Sequence, residues 1–197
     1  MSSKDYKEIK AILLGDVGVG KTNLINVSVG MAFDKNEKST ISNSFVTKKT
    51  TINKQKYNID LWDTAGQEKY YQITKIFFKG SNVIIFVYDV TSKSSFEGLS
   101  KWMDMAKENT DGQYVCGIVW NKIDLYLEVK VDEKEARDLA ESKGYKFKLV
   151  SAFKDPKGIQ DFIDDLAKDY IIMGGDGKQG VKLGGGGSEN QGKGRKC

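Results

Sequence analysis

Short apolar runs and amphipathic stretches alternate along this chain. Ile9-Lys10-Ala11-Ile12-Leu13-Leu14 and Tyr114-Val115-Cys116-Gly117-Ile118-Val119-Trp120 are nearly continuous in apolar character, the pattern of strands buried on both faces. Strands are expected near 7–14, 44–52, 55–62, 83–89, 114–120 and 146–150, the second and third pairing as a hairpin. Between the later strands the apolar period changes from two to that of a helix. Ser94-Ser95-Phe96-Glu97 has the spacing of a capping box, and Phe96, Leu99, Met103 and Ala106 follow on one face. Asp132 precedes an acidic helical start, and Ile159, Phe162, Ile163, Leu166 and Tyr170 form the last stripe. These stripes read as core. Strands that alternate with helices predict an α/β doubly wound fold: a six-stranded, mostly parallel sheet with one antiparallel strand and helices on both faces.

The apolar periodicity stops near residue 173. From Gly174 the chain is Gly-rich and polar, including Gly184-Gly185-Gly186-Gly187-Ser188, and has too little apolar surface to offset the entropy of ordering. Residues 1–173 are therefore expected to be one domain and 174–197 a flexible tail. At 197 residues and 39% hydrophobic, the chain can bury one domain's core and holds no apolar stretch long enough to span a bilayer.

Charge and cysteine content narrow the chemistry. A net charge of +4 reads as scattered surface lysines, and no basic and aromatic array for nucleic acid is present. With no histidine, imidazole triads and histidine zinc sites are excluded, which suits phosphoryl transfer. Cys116 lies in an apolar run and reads as core, while Cys197 is terminal, so no disulfide framework is expected and a reducing compartment fits. Met1-Ser2-Ser3-Lys4 has no signal-peptide pattern, and Ser2 lacks the Met-Gly start of N-myristoylation.

Gly15-Asp16-Val17-Gly18-Val19-Gly20-Lys21-Thr22 directly follows the first strand and fits G-x-x-x-x-G-K-[ST]. Glycines let successive N–H groups turn inward to phosphate oxygens, and the helix that follows adds its positive N-terminus. Lys21 is expected to reach the β- and γ-phosphates and Thr22 to hold Mg²⁺. At the end of the fifth strand stands Asn121-Lys122-Ile123-Asp124. The Asp124 carboxylate can accept from both the N1–H and the exocyclic amine of guanine, whereas adenine would leave it unpaired. In Leu61-Trp62-Asp63-Thr64-Ala65-Gly66-Gln67-Glu68, Asp63 is expected to bind the metal through water. Gly66 would bring its N–H to the γ-phosphate, and Gln67 would orient the attacking water as the catalytic residue.

With Phe33 in Met31-Ala32-Phe33 and Thr40 in Lys38-Ser39-Thr40-Ile41, this constellation resembles the Ras superfamily of small GTPases, from about Lys7 to Ile172. Ser39-Thr40-Ile41, Lys69-Tyr70-Tyr71-Gln72-Ile73-Thr74, Phe77-Phe78-Lys79-Gly80 and Tyr88-Asp89-Val90-Thr91 are most similar to the Rab branch. The resemblance implies that Phe33 lies against the guanine edge, that Thr40 joins Thr22 and Asp63 around Mg²⁺, and that Ser151 and Ala152 complete the base contacts. The implied nucleotide-binding set is Gly15, Asp16, Val17, Gly18, Val19, Gly20, Lys21, Thr22, Asn23, Phe33, Thr40, Gly66, Asn121, Lys122, Asp124, Ser151 and Ala152. It implies a GTPase that binds GTP and GDP with Mg²⁺ and switches vesicle traffic on the cytosolic face of an endomembrane. Such a switch meets effectors, an exchange factor and an activating protein through its switch regions, including Phe45, Trp62 and Phe77. A monomer is expected, anchored by a lipid on Cys197 in Gly194-Arg195-Lys196-Cys197, although no C-a-a-X box follows.

The chain departs from the family pattern at several positions. Ser42 and Ser44 stand where the switch region commonly has Gly and an acidic residue, Phe153 replaces a lysine, and Trp120 replaces a small residue before Asn121. Val17 stands where Ras has Gly, and is expected to crowd the γ-phosphate and slow hydrolysis. The rival readings are a slowly hydrolysing guanine-nucleotide scaffold or a signalling GTPase outside traffic. A P-loop kinase would leave Asn121 to Asp124 unexplained.

Overall fold

In a computed structural model of the chain, residues 6–37, 44–64, 77–175 and 178–179 are described. Strands β1 (Tyr6–Leu14), β2 (Ser44–Ile52), β3 (Gln55–Asp63), β4 (Val83–Asp89), β5 (Val115–Asn121) and β6 (Lys146–Leu149) form a sheet in the order β2-β3-β1-β4-β5-β6. The hairpin β2–β3 is antiparallel, from Ser44 opposite Asp63 to Ile52 opposite Gln55. Its two-residue turn puts Asn53 and Lys54 at φ 50° and 65°, the doubly left-handed turn whose twist matches that of its strands. All other neighbours on this path are parallel. The expected α/β sheet with one antiparallel strand is thus present.

Helices α1 (Lys21–Ser28), α2 (Lys93–Glu97), α3 (Leu99–Asn109), α4 (Glu133–Lys143) and α5 (Pro156–Ile172) cover the sheet. Period-two geometry sorts the strand residues between two cores. Ile9, Leu13, Ile85 and Val87 pack with Leu24 and Ile25 of α1 and with Ile159, Phe162 and Leu166 of α5. Ile12, Leu14, Ile84 and Phe86 pack on the opposite face with Leu99 and Met103 of α3 and Ala136 and Ala140 of α4. Every residue of β4 and β5 is buried, which is why these runs show little alternation in sequence.

Three local features differ from the sequence reading. Ser92, not Ser94, caps α2, its hydroxyl accepting from the Ser95 N–H at 3.3 Å. Both serines have glutamate or serine nearby, and spacing alone did not separate the cap from a first-turn residue. The expected single helix is divided at Gly98, although Phe96, Leu99, Met103 and Ala106 are all buried as their stripe predicts. A short β7 (Lys178–Gln179) pairs antiparallel with Lys7 and Glu8 of β1, within the stretch expected to be a free tail. Asp132 caps α4 as expected, accepting from the Lys134 and Glu135 N–H groups at 2.7 and 3.2 Å. Such a cap contributes about 1 kcal/mol.

Candidate functional site

The turn from β1 to α1 is shaped by glycines where no other residue fits. Gly15 and Gly20 have φ 149° and 95°, and a Cβ on them would stand 2.1 Å from the Val87 carbonyl oxygen and 2.5 Å from Asn121 Nδ2. Gly20 is the N-cap of α1 and brings no side chain to its first N–H groups. Those donors open toward the cavity with the positive end of the helix behind them. Lys21 is 6% exposed, and its ammonium donates to the carbonyls of Gly15 and Asp16 at 2.7 and 2.9 Å. Burial pulls its pKa down to about 8, against the opposing pull of the Asp63 and Asp16 carboxylates. The Thr22 hydroxyl donates to Asp63 Oδ2 at 2.7 Å, bringing the end of β3 to the start of α1. Thr64 next to it donates to the Leu13 carbonyl at 2.6 Å.

The far end of the cavity is built from three separated segments. Asn121 ends β5, buried, with Nδ2 donating to the Val19 carbonyl at 2.8 Å and Oδ1 accepting from the Ala152 N–H at 3.4 Å. Lys122, at φ 66°, sends its ammonium to the Gly18 carbonyl at 2.7 Å and to Asp89 Oδ2 at 2.6 Å. Ser151 donates its hydroxyl to Asp124 Oδ1 at 2.5 Å and accepts from the Lys154 N–H at 2.9 Å. Asn23 on α1 holds the next loop through both backbone groups of Asp34, at 2.8 and 2.9 Å. That loop carries Phe33, whose ring lies 5.2 Å from that of Phe153 at a tilt of 52°.

These parts enclose a cavity of about 750 Å³ running from Gly18, Lys21 and Thr22 to Asp124 and Phe153. Its volume is in the range of small-molecule and cofactor sites. Of the residues expected to meet a nucleotide, the cavity brings together Val17, Gly18, Gly20, Lys21, Thr22, Asn23, Phe33, Asn121, Lys122, Asp124 and Ala152. Asp16 is absent from the lining: its carboxylate accepts from the Trp102 indole N–H at 2.9 Å instead. The Val19 side chain is buried in the core, and its carbonyl accepts from Asn121. Trp120 likewise faces the core, its ring stacked on Tyr88 at 6.3 Å. Thr40, Gly66, Gln67 and Cys197 lie outside the described residues.

Sequence reasoning missed three contributors. Asp89 ends β4 and fixes the Lys122 ammonium while accepting from the N–H and hydroxyl of Thr91, both at 2.8 Å. Trp102 reaches the 15–22 turn from α3, and Phe153 walls the same cavity as Asp124. Phe153 left a signal as a departure beside Ser151-Ala152, and Asp89 lay in a Rab-like stretch without pointing to the site. Beside the cavity, Phe45 and Trp62 stack at 4.8 Å, Phe77 lies 5.3 Å from Trp62, and the Lys10 ammonium sits 4.9 Å over the indole.

A glycine-built anion turn, a buried lysine and a carboxylate at the far wall define a nucleoside-phosphate-binding α/β protein. Within that class the chain belongs to the Ras family, whose sequence model matches residues 10–171, and it is a Rab-like small GTPase. It hydrolyses GTP, works as a GTP-dependent switch, and binds GTP and GDP with Mg²⁺. It is 39% identical to the Ras-related protein Rab-21 of Mus musculus over 162 residues, 82% of this chain and 72% of the relative. It is 36% identical to the Ras-related protein YPT3 of Nicotiana plumbaginifolia over 164 residues, 83% and 75% of the two chains. With the Ras-related protein Rab-13 of Canis lupus familiaris it shares 34% identity over 179 residues, 90% and 88% of the two. Proteins of this kind act through regulators and effectors. Among the described residues no helix is long and apolar enough to cross a membrane.

Proposed function

We propose that the cavity is the guanine-nucleotide site and that the chain is a Rab-type switch in vesicle and membrane traffic. The observation that carries the nucleotide assignment is the pair of bridges from Asn121 to Val19 and from Lys122 to Gly18. They join two sequence motifs, far apart in the chain, in the wall of one cavity. Phosphates lie against the start of α1 and Lys21, and the guanine edge lies against Asp124, whose carboxylate Ser151 holds in place. The Thr22 hydroxyl and the Asp63 carboxylate are adjacent hard oxygen ligands, a donor set that fits Mg²⁺. When bound, the ion offsets charge that develops on the phosphates. Thr40 and Gly66 hold the γ-phosphate side, and Gln67 orients the water for attack.

Loss of the γ-phosphate releases Thr40 and Gly66 and changes the surface beside them. Phe45 is 52% exposed, and with Trp62 and Phe77 it offers effectors an aromatic platform next to those loops. The tail from 174 tethers the domain, as a monomer, to the cytosolic face of an endomembrane through a lipid on Cys197. Val17, 43% exposed on the cavity wall, favours a second reading in which turnover is too slow to matter and the chain is a nucleotide-dependent scaffold. Pull-downs with protein loaded with GDP or a non-hydrolysable GTP analogue test the switch, and traffic proteins are expected on the triphosphate form alone. Identical partners in both states would rule it out. Single-turnover hydrolysis with and without an activating protein separates switch from scaffold, and intact-mass analysis from native cells tests the lipid.

A further inference from the structure

Phe153 is a large ring left 57% exposed, although Ser151 and Ala152 before it are buried. It is also among the residues by which the chain departs from its family, and a phenyl ring has no hydrogen bond with which to replace the lysine common there. Its neighbour is Phe33, at a centroid distance and tilt typical of favourable aromatic pairs. The two rings come from different parts of the chain. Phe33 belongs to the loop after α1, tied at its next residue by Asn23, and Phe153 to the turn between β6 and α5, tied by the Ser151 hydroxyl. Both line the cavity near Asp124. Lys122 lines the same cavity, its ammonium fixed by Gly18 and Asp89 so that its stem is held in the lining.

The geometry points to Phe153 as a second base-retaining residue, paired with Phe33 in an aromatic latch over the base end of the cavity that slows nucleotide release. This rests on the nucleotide assignment above. A purine bonded at its edge to Asp124 lies between the Lys122 stem and the two rings, and covers apolar surface that Phe153 otherwise leaves in water. Because the rings also touch each other, each holds the other in position, and drawing away the loop with Phe33 uncovers both at once. The latch acts on base and ribose, not on the phosphates.

The test is release of a fluorescent GDP analogue from the full chain, with and without a chelator of Mg²⁺. Phe153→Ala is expected to speed release about tenfold by the same factor in both conditions, since the phosphate end is untouched. Phe153→Tyr keeps the ring face and is expected to stay within about twofold of the parent. Phe33→Ala together with Phe153→Ala should be no more than about twofold faster than Phe33→Ala alone, because either loss opens the same latch. If Phe153→Ala proves unstable, Phe153→Leu retains apolar bulk without the ring face and is expected to accelerate release about threefold. Unchanged release in a folded Phe153→Ala or Phe153→Leu overturns the latch, as does strict additivity with Phe33→Ala. Failure of the parent chain to bind GDP at all overturns the nucleotide assignment instead, so the two outcomes are distinct.

Discussion

The two ends of the cavity are built by opposite means. The phosphate end comes from one contiguous stretch, Gly15 to Thr22, in which backbone geometry makes most of the site and one buried ammonium supplies charge. The base end is assembled from side chains on three segments: the loop after α1, the end of β5 with its turn, and the turn before α5. Backbone donors at the start of a helix accept any phosphate and read nothing else. Side chains brought from distant places can be complementary to one base. On the proposed assignment, the phosphate end is expected to supply affinity, and the base end identity and, through Phe153, retention.

The largest expected effect breaks identity alone. Asp124→Asn places an amide where guanine presents two donors, and GDP affinity is expected to fall about 10³-fold while xanthosine diphosphate affinity rises. Competition binding with both nucleotides measures the exchange, and an unchanged GDP affinity would remove Asp124 from the base pocket.

A loss of affinity at the phosphate end should come without a change of base preference. Lys21→Met is expected to weaken GDP and xanthosine diphosphate alike, by about 10²-fold, as a charge-assisted hydrogen bond is lost. The lysine also predicts a pH dependence. Its pKa lies at about 8 in the free protein because burial opposes the charged form, and phosphates raise it by favouring that form. Above pH 8 the ammonium must regain a proton when nucleotide binds. Affinity is thus expected to be flat below that point and to fall about tenfold per unit above it, up to the pKa of the bound state. Calorimetry in buffers of different ionisation enthalpy reads the proton uptake directly, and Lys21→Met should abolish it.

This contrast also governs what could be read from the sequence. The phosphate turn was legible because its residues are neighbours in a fixed motif, whereas the closeness of Gly15 to Val87 appears only once β4 lies beside it. The strand positions and the α/β class followed from apolar runs whose alternation is lost in β4 and β5 through burial on both faces, whereas strand order and the division into two cores did not. Asp124 and Ser151 were each legible as motif residues, but their mutual hydrogen bond was not, since it depends on how the ends of β5 and β6 lie together. Trp102 carried no pattern, and Asp89 lay in a Rab-like stretch that said nothing of its contact with Lys122. Their roles arise from β4 and α3 ending or passing beside the site, a matter of packing that local sequence does not encode.

A moderate effect is expected at Val17. Val17 stands in the cavity wall, and its branched methyl groups are expected to crowd the path of the attacking water. Val17→Gly should raise the single-turnover rate of GTP hydrolysis by roughly three- to tenfold, because small displacements of a reacting water are costly. Gln67→Leu should then remove most of the remaining rate with nucleotide affinity near normal. Equal rates for the parent and Val17→Gly, intrinsic and stimulated, would show that the side chain is tolerated.

The smallest effect concerns a residue outside the cavity, and it sharpens the view of the phosphate end as self-contained. Trp102 is buried on α3, and its indole N–H reaches Asp16 Oδ1 at 2.9 Å. The Asp16 carbonyl accepts from the Lys21 ammonium, so one residue joins the outer helix to the charge that meets the phosphates. Turned toward Trp102, the carboxylate also stays out of the cavity, where it would repel a phosphate. Trp102→Phe keeps most of the packing but removes the donor, and is expected to cost about 1–2 kcal/mol in denaturant unfolding. GDP release should quicken only about two- to threefold, since the glycine turn retains its own geometry. Asp16→Ala in the same background should add little, because both changes sever one bond and their effects on release are coupled. Independent, additive effects would mean that the bond only packs α3 and that the phosphate turn needs nothing from outside its own sequence.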